Sequence, residues 1–351
     1  MKFLKMKMTK LTRALLIATC MTSAATHAAS FNTIPEESGF DGFLLVGGTF
    51  TNFSSNIVAG NSLTHVEHES TNGLDEAPSS ENGISSVLTG ELNYTFADQG
   101  LQIYVGNELE DVLRYDLATK FGVRKDLNGK GIARVAYITS GVLPTHVYED
   151  PFNVESTHEA DRDMQGVQLG LDNLLGSGVN IEVSLKDIDV VEENSGHSLV
   201  ESGALEPSDQ KLLKRTGTTT TAKLSYLHAF SGSHYIEPEF VAERADKDGG
   251  AIAHDRFGAS LSYFYLKGRF SLVGQLAYSH SEYDEISPVW GMNEVGDNNI
   301  SAASLVLSYA KPFGWEDTSF VTSFAYANEN SNIDFYDAHI ATASMGMLYQ
   351  F

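Results

Sequence analysis

The sequence predicts an all-β fold: a transmembrane antiparallel up-and-down β-barrel of 14 strands, with 12 as the alternative count. Three observations lead there. The chain starts with an export signal, its body alternates apolar and polar residues between links of alternating length, and its last strand ends on an aromatic residue. Mean hydropathy of -0.16 with 20% charged residues fits neither a disordered chain nor a bundle of apolar helices.

The export signal is read from residues 1–28. Lys2, Lys5, Lys7, Lys10 and Arg13 precede an apolar run at 14–21, and small residues follow up to Ala28. A basic start, a short apolar core and a small-residue end make a cleavable signal peptide, and the run is too short to span a bilayer. Cleavage after Ala28 fits; a lipoprotein cut before Cys20 is the alternative, disfavoured by bulky Thr19. The mature chain then has no cysteine, hence no disulfide, and 18 basic against 46 acidic side chains, a charge of -28. That balance excludes nucleic acid as a partner. No later stretch approaches 18 consecutive apolar residues, so membrane residence must be as a barrel.

Alternation defines the strands. Leu88, Leu92, Tyr94 and Phe96 share one face, while Thr89, Glu91, Asn93 and Thr95 share the other. Tyr115, Leu117, Phe121 and Val123 alternate with Asp116, Lys120 and Arg124. Val179, Ile181, Val183 and Leu185 oppose Asn180, Glu182, Ser184 and Lys186. Similar stripes run through Phe257, Leu261 and Tyr265 and through Phe270, Leu276 and Tyr278. The predicted strands are 42–53, 84–96, 101–107, 114–124, 131–142, 164–172, 178–187, 218–230, 234–243, 255–266, 269–280, 300–310, 319–327 and 338–351.

A soluble sandwich would alternate too, but the links separate the two folds. They are short after each even-numbered strand and mostly long and acidic after the odd ones, notably 54–83, 143–163, 188–217 and 281–299. Tight periplasmic turns and long outside loops are the layout of an outer-membrane barrel. The link at 108–113 is short on the wrong side, which makes that strand pair the weakest. Phe96, Phe230, Tyr265, Phe270, Tyr309, Trp315, Phe320, Tyr349 and Phe351 fall at the short-turn ends; Phe53, Tyr115, Tyr278, Tyr326 and Phe335 fall near the long loops. The expectation is two aromatic girdles.

Met345, Met347, Tyr349 and Phe351 occupy every second position up to the end of the chain. This resembles the carboxy-terminal signal by which assembly machinery recognises barrels of the Gram-negative outer membrane. The segments Ile34-Pro-Glu-Glu-Ser-Gly-Phe-Asp-Gly-Phe43, Thr145-His-Val-Tyr-Glu-Asp-Pro-Phe152 and Asp172-Asn-Leu-Leu-Gly-Ser-Gly178 also resemble an exported family described only as a domain of unknown function. That resemblance implies a barrel and brings no activity, ligand or catalytic residue.

Charge on a lipid face costs about 2–4 kcal/mol at the midplane, so charged strand residues are expected inside. On that rule Arg114, Asp116, Lys120, Arg134, Glu182, Lys186, Lys223, Glu237, Glu239 and Arg256 line the lumen as selectivity candidates. Opposite signs on strands seven to ten would form a ladder, either bracing the wall or selecting solutes. Ser271, Gln275, Ser279, Ala302, Ser304, Ser308, Ser323, Ala325, Thr342, Ser344 and Gly346 make a smooth sector. It either leaves an open cross-section, receives an infolded loop, or merely relieves crowding.

Other candidates are weaker. His65-Val-Glu-His-Glu69 holds metal-ligating atoms on a loop without fixed geometry, and Asp246 and Asp248 before Gly249 lack the rest of a calcium loop. His280 and Ser281 point to opposite faces of a strand, and no serine stands beside Asp337 and His339. No catalytic residue, metal or cofactor is expected. The organisation read from the sequence is a signal peptide at 1–28, a short periplasmic segment at 29–41 and a barrel at 42–351. Its function is read as porin-like passive diffusion of small hydrophilic solutes through a narrow lumen. The alternative is a closed barrel acting through its acidic loops as a receptor or structural element. Expected partners are outer-membrane lipids and lipopolysaccharide, the assembly machinery and a small solute. A homo-oligomer is left open.

Overall fold

The computed structural model describes residues 33–61, 64–65, 73–108, 118–140, 145–290 and 295–351. The signal peptide, Arg114, Asp116, Tyr115 and nearly all of the 65–69 segment lie outside the described residues.

Fourteen long strands close into one antiparallel barrel. They are β1 (Gly39–Ser54), β2 (Glu81–Phe96), β3 (Leu101–Glu108), β4 (Ala118–Asp126), β5 (Ile132–Thr139), β6 (Glu159–Asp172) and β7 (Val179–Val190). Then follow β8 (Gly217–Tyr226, prolonged by His228–Ser231), β9 (His234–Lys247), β10 (His254–Lys267), β11 (Phe270–Tyr283), β12 (Asn298–Ala310), β13 (Thr318–Ser331) and β14 (Ala338–Gln350). Each pairs with its neighbours in sequence, and β1 pairs with both β2 and β14, which closes the barrel. Every strand of the ring thus has a partner on both sides, as a sheet in lipid requires.

Alternation sets the faces as expected. Leu88, Leu92, Phe121, Val183, Phe257, Leu261, Leu276 and Tyr278 are exposed on the outside, while their sequence neighbours are turned in. Phe230, Phe270, Tyr309, Trp315, Phe320, Tyr349 and Phe351 form an exposed girdle at the short-turn end. The other girdle is thinner than the sequence suggested. Tyr278 and Tyr326 are exposed there, but Phe53 faces the lumen and Phe335 is buried among loops. Phe53 is on the inward register of β1, opposite Ile340, so proximity to a strand end was a poor guide to its face. The amino-terminal boundary also moves. Gly39, Phe40 and Asp41 pair with Thr95, Tyr94 and Asn93, so the barrel begins at 39 and not 42.

At the seam between β1 and β14, Gly47 faces Gly346. A Cβ on Gly47 would stand 2.2 Å from the Met345 carbonyl oxygen. The two chain ends close at that edge, as Gly42 and Phe351 exchange backbone hydrogen bonds of 3.1 and 3.2 Å.

The long-loop end carries a cap with its own apolar core. Phe152, Leu199, Leu205, Leu213, Ile333 and Phe335 are buried together, with Trp290, Ile57 and Leu74 packed against them. Phe152 stacks on Phe335 at 5.4 Å between ring centroids. A short helix, α1 (His197–Glu201), sits in this cap. The Asp150 carboxylate accepts from the Gly196 and Ser198 amides at 2.8 Å, from the Ser198 hydroxyl at 2.7 Å and from the Phe152 amide at 3.2 Å. Arg215 pairs with Glu193 at 3.1 Å and also donates to the Glu149 carbonyl. Burial pushes the Glu193 carboxyl up, but Arg215 outweighs it and holds the group below its ordinary range.

Candidate functional site: a chamber inside the barrel

The lumen is not uniform along its axis. Toward the short-turn end it is filled. Phe43, Leu45, Leu227, Phe264, Leu266, Val273, Val306, Val321 and Leu348 form one buried cluster, with Phe264, Val273 and Val321 at 0% exposure. The wall is graded to make that packing fit. Along one row of paired residues, Leu266, Ser271, Ser308, Val321, Gly346 and Gly47 follow one another across six strands, so bulk on one strand is met by small neighbours on the next. In this half, the small residues of the smooth sector thus make room for neighbouring side chains.

On the other side of that half, β2–β9 contribute a buried polar network. Arg134 Nε lies 2.7 Å from the Asp172 carboxylate and Arg134 Nη2 lies 3.2 Å from Glu182, which Lys223 approaches at 3.7 Å from the facing position on β8. Lys120 donates to Gln168 at 2.9 Å. Glu237 accepts from Ser225 at 2.6 Å and from Asn180 at 3.1 Å. Arg124 makes a two-pronged contact with Glu91 at 3.0 and 3.1 Å and covers the Tyr104 ring at 4.0 Å. Tyr104 in turn lies against Gly122, where a Cβ would come within 2.4 Å of the ring. Together the apolar cluster and this network fill the cross-section there.

Above the plug, toward the long loops, the lumen opens into a chamber of about 480 Å³. Its two walls differ chemically. From β11 to β1, the paired row Ala277, Ala302, Ala327, Ile340 and Phe53 presents small and apolar side chains, with Ile300 and Glu329 paired one row higher. From β6 to β10 the lining carries Arg162, Lys186, Glu239, Glu243, Lys247 and Arg256. Here a ladder crosses four strands: Thr221 donates to Glu243 at 3.1 Å, Arg256 Nη1 donates to Glu243 at 3.3 Å, and Arg256 Nε donates to Ser281 at 2.8 Å. The loops supply the roof through Ile57, Phe152, Ser195, Leu213 and Arg215.

All eight described selectivity candidates are on the inward register, but they divide between two places. Lys120, Arg134, Glu182, Lys223 and Glu237 sit in the buried network, whereas Lys186, Glu239 and Arg256 line the chamber. Sequence reasoning left Glu91, Arg124, Asp172, Glu243 and Lys247 out of the lumen candidates, although Arg124 is in phase with Lys120, and Glu243 and Lys247 with Glu237 and Glu239. Apart from the two alanines of the smooth sector, Ala302 and Ala325, it also left out the apolar lumen residues. The weaker motifs do not assemble. His280 approaches Glu282 at 3.7 Å on the outer register while Ser281 is turned in, Asp337 accepts from the Ser331 amide, and His339 meets Asn52 at 2.9 Å. Asp246 lies 3.8 Å from Arg244.

Comparisons with known proteins follow this architecture. The family model described as "Protein of unknown function (DUF2860)" matches residues 39–350. No curated protein sequence matches. Among solved structures, a loop-deletion mutant of OmpT, an outer membrane protein of Vibrio cholerae, is 12% identical, with 90% of this chain and 99% of that chain covered and a TM-score of 0.41. A Pseudomonas aeruginosa FadL homologue is 9% identical over 93% and 92% of the two chains, with a TM-score of 0.44. An anion-selective porin from Comamonas acidovorans is 10% identical over 90% and 100%, with a TM-score of 0.40. Nothing about a solute follows from these likenesses.

Proposed function

The chain belongs to this family, whose description gives no activity, and we propose from its geometry that it is an outer-membrane channel that admits small water-soluble solutes one at a time. An apolar outer belt with an aromatic girdle, tight turns at one end and long loops at the other suit it to that membrane. The observation that carries the reading is the chamber of about 480 Å³ between a loop roof and a packed floor. A cavity of that size suits a small molecule. A filled floor implies that passage requires the plug side chains to rearrange, so flux is solute-dependent and saturable, unlike free diffusion through an open porin. Proteoliposome uptake of labelled small solutes tests it. Saturable uptake is expected, and uptake rising linearly with concentration for every solute would overturn it.

A closed barrel acting through its surface is the second reading, favoured by the cap, whose buried core is more than solvated loops need. Absence of uptake and of solute binding by a folded barrel would select it.

A further inference from the structure

We propose that the chamber selects small amphipathic anions: solutes with one carboxylate or similar anionic head and a short apolar body. The inference deepens the channel reading and rests on it for its biological sense, although binding is separable from transport. Two independent features of the lining carry it.

The first is charge. The whole chain is strongly acidic, at -23, yet the chamber is lined by five basic side chains against three carboxylates. Those five are Arg162, Lys186, Arg215, Lys247 and Arg256; the three are Glu239, Glu243 and Glu329. Of the acids, Glu243 is already engaged by Arg256 and Thr221, and Glu329 accepts from Asn298. Arg256 spends Nε on Ser281 and Nη1 on Glu243, and its Nη2 donors have no hydrogen-bond partner among the described residues. An anionic head on the β7–β10 side therefore meets fixed positive charge, and charge-assisted hydrogen bonds to it are stronger than those between neutral groups.

The second is the opposite wall. Ala277, Ala302, Ala327, Ile340 and Phe53 run in register across five strands and offer no polar side-chain atom; Glu329, one row above them, is taken up by Asn298. A fully hydrophilic anion would leave that surface in contact with water, whereas a short hydrocarbon body covers it, at roughly 25 cal/mol per Å² of apolar surface removed from water. A purely apolar solute would conversely desolvate the arginine wall without compensation. The two walls together ask for one molecule with both characters.

The test uses the folded barrel in nanodiscs at neutral pH and titration calorimetry with hexanoate, hexanamide, hexylammonium and acetate. Hexanoate is expected to bind about tenfold or more tighter than either its amide or its ammonium analogue, since each lacks the anion that Arg256 and Lys186 recognise. Acetate is expected to bind more weakly than hexanoate for want of a body. Arg256→Gln and, separately, Lys186→Gln should each weaken hexanoate while leaving hexanamide unchanged. Ile340→Ser should weaken hexanoate and not acetate. The Lys186 variant covers the case in which losing Arg256 disturbs folding through Glu243. Equal binding of hexanoate, hexanamide and hexylammonium, or no binding of any by a heat-modifiable folded barrel, would overturn the proposal. Hexanoate binding without proteoliposome uptake would uphold the anion site and reject the channel. Saturable uptake without preference for the anion would do the reverse.

Discussion

Arg134 and Asp172 meet at 2.7 Å inside the barrel wall, both almost wholly buried, and the guanidinium lies flat over Gly170, where a Cβ would stand 2.8 Å from Nη2. Glu182 completes the arrangement at 3.2 Å. One cation thus serves two carboxylates, and the three groups come from three different strands. Removing it leaves both acids buried with their principal partner gone, which is where a buried ion pair becomes costly. Arg134→Ala is expected to destabilise the barrel by about 3–5 kcal/mol in urea unfolding from lipid vesicles. Arg134→Lys should recover only part of this, because an ammonium cannot reproduce the planar fork. Wild-type stability in the alanine variant would show that the network braces nothing.

The floor of the chamber gives a second expectation. Phe264 is fully buried in the lumen, paired across the wall with Val273. Phe264→Ala is expected to cost about 3–5 kcal/mol. It should also admit water to the short-turn half, read as faster solute uptake by proteoliposomes. Unchanged uptake would place the barrier elsewhere.

Much of this was legible in the sequence, and the reason it was legible marks where it failed. Fourteen strands emerged because lipid and lumen impose opposite polarity on successive residues, as over 179–186, where alternation is clean. The inward charges followed from the same rule. The plug did not, because the rule assigns large apolar residues to lipid. In 263–266 and 305–307 both faces are apolar, as in a strand buried on two sides, and such runs carry no phase. Phe264, Leu266 and Val306 lie in these runs, so their unbroken apolarity was the available signal. The chamber's two-faced lining needed the closed barrel itself, since Lys186 and Ile340 are far apart in sequence.

The cap is expected to respond to pH. Glu193 is held below the ordinary glutamate range by Arg215, so the folded cap binds fewer protons there than the unfolded one. The link therefore contributes fully above about pH 4.3, the unfolded value, and is lost as pH falls through the lower folded value. Limited proteolysis within 191–216 should rise in that acid window for the wild type. Glu193→Gln should raise it already at neutral pH. Protection of that variant equal to wild type would contradict the role.

The Asp150 carboxylate collects four hydrogen bonds from the cap. Asp150→Ala should loosen the 191–216 loop by about 1–3 kcal/mol, read by amide hydrogen exchange, while the barrel strands keep their protection. Loss of protection throughout would mean that cap and barrel fold as one unit.

Closure at β1 and β14 leaves no room at Gly47. Gly47→Val is expected to lower the yield of folded barrel in refolding assays, because the strands cannot approach. Removal of Phe351, the last of the alternating series, should lower outer-membrane incorporation in cells more than refolding in detergent, as expected of an assembly signal. Equal effects in both would make its role purely structural.

Planar-bilayer current tests the filled lumen most directly, comparing the wild type with a Phe264→Ala, Leu266→Ala pair confirmed folded by heat-modifiable migration. The account expects no steady open steps from the wild type and steady unitary steps from the pair. Steady wild-type steps of the same size as the variant's would contradict it.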